Sequence, residues 1–401
     1  MFSLPKFDSE VAALFFITFI VGSSVSMLAP LLPEIKQEFG LSYTAAALVF
    51  SSYGIARLFL SLPAGYVYNR VNRKLLLASG LLLMLASSLM AFRASSFAEF
   101  IASQVVMGAG FSFCVTTVII SLSGLSTKSN RGKVMGSNTF ARSAAATVAP
   151  AAAGFITLSL GWRAVYLFYV IALGAALVVM HRYAKRQITA REEREHGGKG
   201  GNTGMLLVLF VVTFLATFST AGFKSNVVPL YGSDVLRLDT ATISMVLSLM
   251  AFMHLVTSPI AAWYSDKYGR RIFLLIGLAA TALGSFALLF AADVALLIAA
   301  AALLGVGTMI FVTPPIIMGD ITPHRQAGRN YGILRFTQDL GFVVGPVLLG
   351  YTVDTYGFGA AALLTGFLSL FVFVLAYVVV KEPETHAKLN WKRILQIEAE
   401  D

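Results

Sequence analysis

Ser-Asp-Lys-Tyr-Gly-Arg-Arg, residues 265–271, follows a long apolar run, and Tyr-Asn-Arg-Val-Asn-Arg-Lys, residues 68–74, follows another. Asn69 and Asp266 stand 197 positions apart. Other landmarks keep almost the same interval and the same order. Pro150 and Pro346 are 196 apart, and Gly136 and Gly332 each precede their proline by 14. Gly161 and Gly357 are also 196 apart, while the pair Gly108 and Gly110 recurs as Gly305 and Gly307 after 197. One unit has been duplicated in parallel orientation, the signature of a two-halved membrane bundle.

The composition says which solvent the unit folds in. Of 401 residues, 57% are hydrophobic and 12% charged, against ~25% charged in soluble domains. Twelve apolar runs are long enough to cross a bilayer, which takes roughly 20 residues each: 11–33, 44–67, 74–92, 97–124, 134–159, 163–181, 205–230, 241–264, 271–291, 295–319, 330–353 and 357–380. None alternates like a barrel strand, so helices are the expected solution. The fold class is therefore an all-α membrane protein of 12 transmembrane helices, arranged as two pseudo-symmetric six-helix bundles. The charged, then glycine-rich segment 182–204 reads as a linker. The expected organisation is an N-terminal bundle over 1–181, a cytoplasmic linker over 182–204, a C-terminal bundle over 205–381 and a cytoplasmic tail over 382–401. The first run reads as a retained span rather than a signal peptide, because no small-residue cleavage site follows it.

Lys and Arg exceed Asp and Glu, 30 against 20. With the N-terminus placed in the cytoplasm, 22 of the 30 basic residues fall on the cytoplasmic side and only Lys36, Arg93, Arg163 and Arg237 outside. The positive-inside rule then places both termini in the cytoplasm, in a multi-pass plasma or inner membrane protein. Positive charge spread over short loops on one face forms no groove for nucleic acid. One cysteine, Cys114, excludes an internal disulfide framework. No metal-ligand cluster, nucleophile elbow or phosphate loop is present, so neither an enzyme nor a cofactor is expected.

These features resemble the major facilitator superfamily over essentially the whole chain, in particular its 12-helix drug or metabolite–proton antiporter branch. The loop beginning at Gly65 and running through Asn69, Arg70, Arg73 and Lys74 approximates the family pattern G-x-x-x-D-R-x-G-R-R/K. So does the loop carrying Asp266, Lys267, Gly269, Arg270 and Arg271. The resemblance implies a conformational latch at these residues, with the acid capping a neighbouring helix in the outward-open state. Asn69 replaces that acid in the first copy, which implies a weaker latch in the N-terminal half. Run five carries Ala149, Pro150 and Gly154, and run eleven carries Gly341, Gly345 and Pro346. Both are similar to the family's glycine-proline antiporter motif, and the resemblance places them at the seam between halves. Small residues four apart also let helices approach closely. Two family features are missing. Gln104 stands where drug antiporters of this family carry an arginine, and run one has no acid.

Charges inside the membrane cost ~2.5–3.5 kcal/mol or more each and rarely persist without a partner or a function. The apolar runs contain Arg57, Arg142, Lys224, Arg335 and Asp339, with His254 in the position equivalent to Arg57. Four cations against one acid leave positive charge to be met by a ligand. Arg57, Arg142, Lys224, His254 and Arg335 are therefore the candidate contacts for a small anion. Asp339, the one carboxylate, is the candidate for proton coupling. Arg335 and Asp339 share a helix face. The family arrangement implies that runs two and eleven face each other, as do runs five and eight, so that Arg57 approaches Asp339 and Arg142 approaches His254. The expected function is secondary active transport of a small organic anion by alternating access, as a monomer in the bilayer. Multidrug or lipid efflux is the alternative, and a receptor without flux is a further one. Neither the direction of transport nor the coupling ion follows from the sequence.

Overall fold

The structure, a computed structural model, describes residues 8–68, 71–127, 130–183, 203–322 and 324–380. The expected linker 182–204 falls mostly outside these residues, and the tail 382–401, Asn69 and Arg70 fall wholly outside them. Among the described residues every regular element is helical.

Six helices precede the linker: span 1 (Ser9–Phe39), span 2 (Tyr43–Tyr68), span 3 (Arg73–Arg93), span 4 (Phe97–Leu125), span 5 (Arg131–Leu160) and span 6 (Trp162–Tyr183). After it come span 7 (Gly204–Asp234), span 8 (Thr240–Tyr268), span 9 (Arg270–Phe290) and span 10 (Val294–Gly319). A last helix covers His324–Val379, and its apolar part alone is 51 residues long. At 1.5 Å per residue that is ~76 Å, more than twice the ~30 Å hydrocarbon core. It makes two crossings, spans 11 and 12, because Gly357 breaks it with φ 82°. Gly161 does the same between spans 5 and 6 with φ 80°. A left-handed backbone is open to glycine at little cost, so the two breaks fall at equivalent points of the repeat.

Packing repeats as the sequence does. Span 1 lies against span 5 as span 7 lies against span 11, span 2 against span 4 as span 8 against span 10, and span 3 against span 6 as span 9 against span 12. The two halves meet along two seams, span 2 on span 11 and span 5 on span 8. One face of the bundle carries the 183–203 connection and is called here the linker face. The other, bearing Gly161 and Gly357, is the far face.

Small residues set the closeness of the helices within each half. Gly108 of span 4 sits under the Tyr53 carbonyl of span 2, and Gly305 of span 10 sits under the Met250 carbonyl of span 8. In lipid there is no hydrophobic drive between helices, so such contact is what dispersion and polar packing need. A Cβ at Gly305 would lie 2.6 Å from the Met250 carbonyl oxygen, whereas one at Gly174 would meet nothing within 4 Å. Gly305→Leu is expected to cost about 1–3 kcal/mol through overpacking and to lower the thermal unfolding midpoint in detergent. Gly174→Leu is expected to leave it unchanged, and equal midpoints for the two variants would contradict this packing.

Candidate functional site

Span 2 brings Arg57 to the middle of the seam because Gly54, one turn before it, lets Phe342 of span 11 close on the backbone. A Cβ at Gly54 would lie 2.8 Å from that ring. Arg57 then crosses to the other half, where its Nη2 donates to Asp339 Oδ1 at 2.5 Å. Arg335, one turn before Asp339 on span 11, places Nε 3.4 Å from the second carboxylate oxygen. That distance is a charge contact rather than a tight hydrogen bond. Asp339 is 1% exposed, Arg57 11% and Arg335 43%. A buried carboxylate is thus held between two guanidinium groups, one from each half. Aromatic rings hold Arg57 in turn. Its guanidinium lies 4.5 Å from the Phe342 ring centre and 6.0 Å from that of Phe111, and Tyr53 packs edge-on against Phe111 at 5.5 Å. Cation–π contact of this kind attracts the guanidinium to the ring faces.

The cluster borders a cavity of about 320 Å³ that reaches from Arg57 toward the linker face. Leu58, Phe111, Val115, Ile119, Ile120 and Phe336 make its apolar wall, and Arg57, Arg335 and Asp339 its charged one. Size and mixed lining suit a small organic ligand.

The other ionisable residues of the spans surround this centre. Arg142 of span 5 is exposed, lines a neighbouring cavity and has no hydrogen-bond or ion-pair partner among the described residues. It lies within electrostatic reach of Arg57, Arg335 and His254. His254 is held inside its own half, with Nδ1 2.8 Å from both Ser258 Oγ and Thr308 Oγ1. Lys224 is half-buried and sits in a π-helical turn, Phe223–Val227, within span 7. Such turns widen a helix and are frequent at functional sites.

Three basic residues of the latch motif have described partners. Arg73 pairs with Glu10 of span 1, Arg270 donates to the Ile316 carbonyl at 2.9 Å, and Arg271 reaches the Tyr377 carbonyl. Each of these contacts stays within one half. Gly65 lies in span 2, and Gly269, with φ 99°, ends span 8. Asp266 and Lys267 also lie in span 8, but their side chains are outside the described set.

The seam residues divide. A Cβ on Gly154 would meet Ser244 of span 8, so Gly154 packs across the seam. Ala149 and Pro150 are buried above it. Gly341 and Gly345 instead turn to Phe214 and Phe218 of span 7 in their own half, and the Pro346 carbonyl accepts from Asn226 at 3.0 Å. Across the seam the close contact is made by Gly350, 2.7 Å from the Tyr43 carbonyl as measured from an added Cβ.

What sequence reasoning missed is a second set of ties at the far face. Asp354 of span 11 accepts from the backbone N–H groups of Tyr43 and Thr44 at 2.9 and 2.8 Å and from the Thr44 hydroxyl at 2.5 Å. It caps the first turn of span 2 from the opposite half. Asp234 accepts from the Tyr43 hydroxyl at 2.8 Å and pairs with Lys36 at 3.1 Å. Glu34 accepts from Thr240 at 2.7 Å. Together these bonds close the far face, and the cavity lies on the linker side of that closure.

Comparison with known proteins identifies the family to which this fold belongs. The family model of the Major Facilitator Superfamily matches residues 14–212 and again 209–398. The chain belongs to this superfamily of membrane transporters. It is 23% identical over 201 residues to the quinolone resistance protein NorA of Staphylococcus aureus, a match covering 47% of this chain and 51% of that protein. The match thus spans about half the length of that relative. An MFS-type transporter of Methanocaldococcus jannaschii is 22% identical over 389 residues, 94% of this chain and 99% of that one. Among solved structures, a bacterial homologue of the human lysosomal transporter Spinster, inward-facing and occupied, superposes with a TM-score of 0.76 at 13% identity, covering 92% of this chain and 95% of that one. The human organic anion transporter MFSD10 superposes with a TM-score of 0.70 at 15% identity, covering 93% and 100%. At these identities the structures establish the fold.

Removing the Asp354 cap is expected to cost about 1 kcal/mol, a roughly fivefold shift in the balance between closed and open far faces. Spin labels at the exposed residues Ser159 and Thr355 report this as a longer-distance population that grows in Asp354→Ala. An unchanged distance distribution would contradict the latch.

Proposed function

We propose that this protein is a secondary active transporter that moves a small organic anion by alternating access, with proton coupling at Asp339. The observation that carries the reading is the Arg57–Asp339–Arg335 cluster, which joins the halves at the wall of the cavity. Within the spans the cations outnumber the acid, and a charge in a low-dielectric site needs a counter-charge. An anionic ligand supplies it.

The cycle follows from the cluster's charges. With Asp339 ionised, both arginines are engaged and span 2 is tied to span 11. A proton on Asp339 removes the negative charge that holds Arg57, which frees a guanidinium for the ligand and loosens the seam. A ligand anion takes the place of the carboxylate and restores charge balance. The residues 36, 43, 44, 234 and 354 keep the far face shut while the cavity is reached from the linker side. The positive-inside distribution of Lys and Arg makes the linker face cytoplasmic, so this conformation is inward-facing. In this reading the chain divides at 182–204 into two bundles. Asn69, Arg70, Asp266 and Lys267 form the cytoplasmic latch of the opposite, outward-facing state.

Drug efflux is a second reading, favoured by the partial match to NorA. The two differ in what Arg57 does. An anion loses affinity in Arg57→Ala, whereas a neutral or cationic drug does not.

In proteoliposomes, uptake driven by a pH gradient is expected to become insensitive to that gradient in Asp339→Asn, while exchange of internal for external substrate persists. Removing one partner of a buried pair costs about 3–5 kcal/mol, so the isosteric amide is the informative variant rather than alanine. Proton dependence unchanged in Asp339→Asn would contradict the coupling role.

A further inference from the structure

With Asp339 ionised, Arg57 and Arg335 are both committed to it, which leaves open where the ligand's negative charge sits before Arg57 is freed. A second cavity adjoins the first and shares with it Phe111, Val115 and Ile119, three residues of span 4 spaced one turn apart. Its remaining lining includes Thr18 and Gly22 of span 1 and Asn138 and Arg142 of span 5.

Asn138 and Arg142 are four apart on one helix and point to the same side. Asn138 is held by its neighbour: the Thr18 hydroxyl lies 2.7 Å from Asn138 Oδ1 and 2.9 Å from the Leu14 carbonyl, which share its single proton. That contact turns the amide oxygen to Thr18 and leaves the Nδ2 group without a partner among the described residues. Arg142 has no described partner, and its stem passes Gly22, where an added Cβ would lie 3.5 Å from Arg142 Cγ. The wall therefore presents an amide N–H₂ and a guanidinium side by side, both donors. Opposite them run the apolar faces of Phe111, Val115 and Ile119, which lead from this pair to the Arg57–Asp339 cluster.

We infer that Asn138 and Arg142 form a carboxylate-binding subsite and that the ligand is an amphipathic monoanion, its carboxylate on this pair and its apolar body along span 4. Two donors and no acceptor match a carboxylate, which only accepts. The body of the ligand lies on hydrocarbon and so carries no second charge. This deepens the transport reading above and rests on it.

The test uses the purified full-length protein in nanodiscs and 4-phenylbutyrate as probe, with 4-phenylbutyramide and phenylsuccinate as its neutral and dianionic counterparts. Titration calorimetry is expected to show 4-phenylbutyrate binding at least tenfold tighter than either counterpart. Affinity is expected to rise about fourfold per added CH₂ along a series of unbranched monocarboxylates, as burial of each methylene predicts. Asn138→Asp, which keeps the volume and adds a repelling charge, is expected to abolish binding, and Arg142→Gln to weaken it tenfold or more. Thr18→Val is expected to weaken it severalfold by releasing the Asn138 amide. Unfolding midpoints equal to the parent's show that the variants are folded. If Arg57→Gln abolishes 4-phenylbutyrate binding while Asn138→Asp and Arg142→Gln leave it intact, the subsite is overturned but anion transport stands. If phenylsuccinate binds as tightly as 4-phenylbutyrate, the monoanion assignment is overturned. If neither anion binds and the amide does, the anion reading itself fails with it.

Discussion

A carboxylate buried to 1% exposure between arginines of two different helices is the constraint around which this bundle is organised. Neither Asp339 nor Arg57, at 1% and 11% exposure, is tolerated there without a partner. Asp339 needs a cation, and Arg57 reaches it only if span 2 and span 11 lie side by side. The aromatic rings against Arg57 come from both halves, Phe111 from one and Phe342 from the other. The same contact that makes the charges tolerable therefore holds the halves together, and any event that neutralises Asp339 acts on both at once. In the transport reading proposed here, this is how a local proton or ligand becomes a rearrangement of whole bundles.

The two faces of the bundle use charge in opposite ways. At the far face, acids of the C-terminal half, Asp234 and Asp354, accept from Lys36, Tyr43 and Thr44 of the N-terminal half. At the linker face, Arg73, Arg270 and Arg271 contact Glu10, Ile316 and Tyr377 of their own halves. Among the described contacts, the acids named above tie the halves across the far face. In the alternating-access reading the bundle pivots there, and the cavity lies beyond the pivot.

Much of this was legible in the sequence because lipid imposes strict rules. Apolar length and the need to satisfy every backbone group leave helices, and the offset of 196 or 197 between landmarks reveals the duplication. Five ionisable side chains in apolar runs stand out because each is expensive there. The pairing of Arg57 with Asp339 across 282 positions is not a local property. It became an expectation only through the family's helix arrangement. The far-face ties were invisible for a different reason. Asp354 and Asp234 lie near helix ends where acids are ordinary, and only the meeting of two helix termini gives them a role. Gly341 and Gly345 show the limit of motif reading: the spacing of small residues shows that a helix is closely approached, not by which neighbour.

The central claim is that one ion pair across the seam couples the charge state of the cavity to the arrangement of the halves. Exchanging its members tests this most directly, by assaying proteoliposome transport for Arg57→Asp, Asp339→Arg and the two together. Each single change buries like charges at the seam and is expected to abolish transport, and the double exchange, which restores the attraction, to recover a measurable part of it. Full activity in either single variant, or a folded double variant as inactive as the singles, would contradict the account.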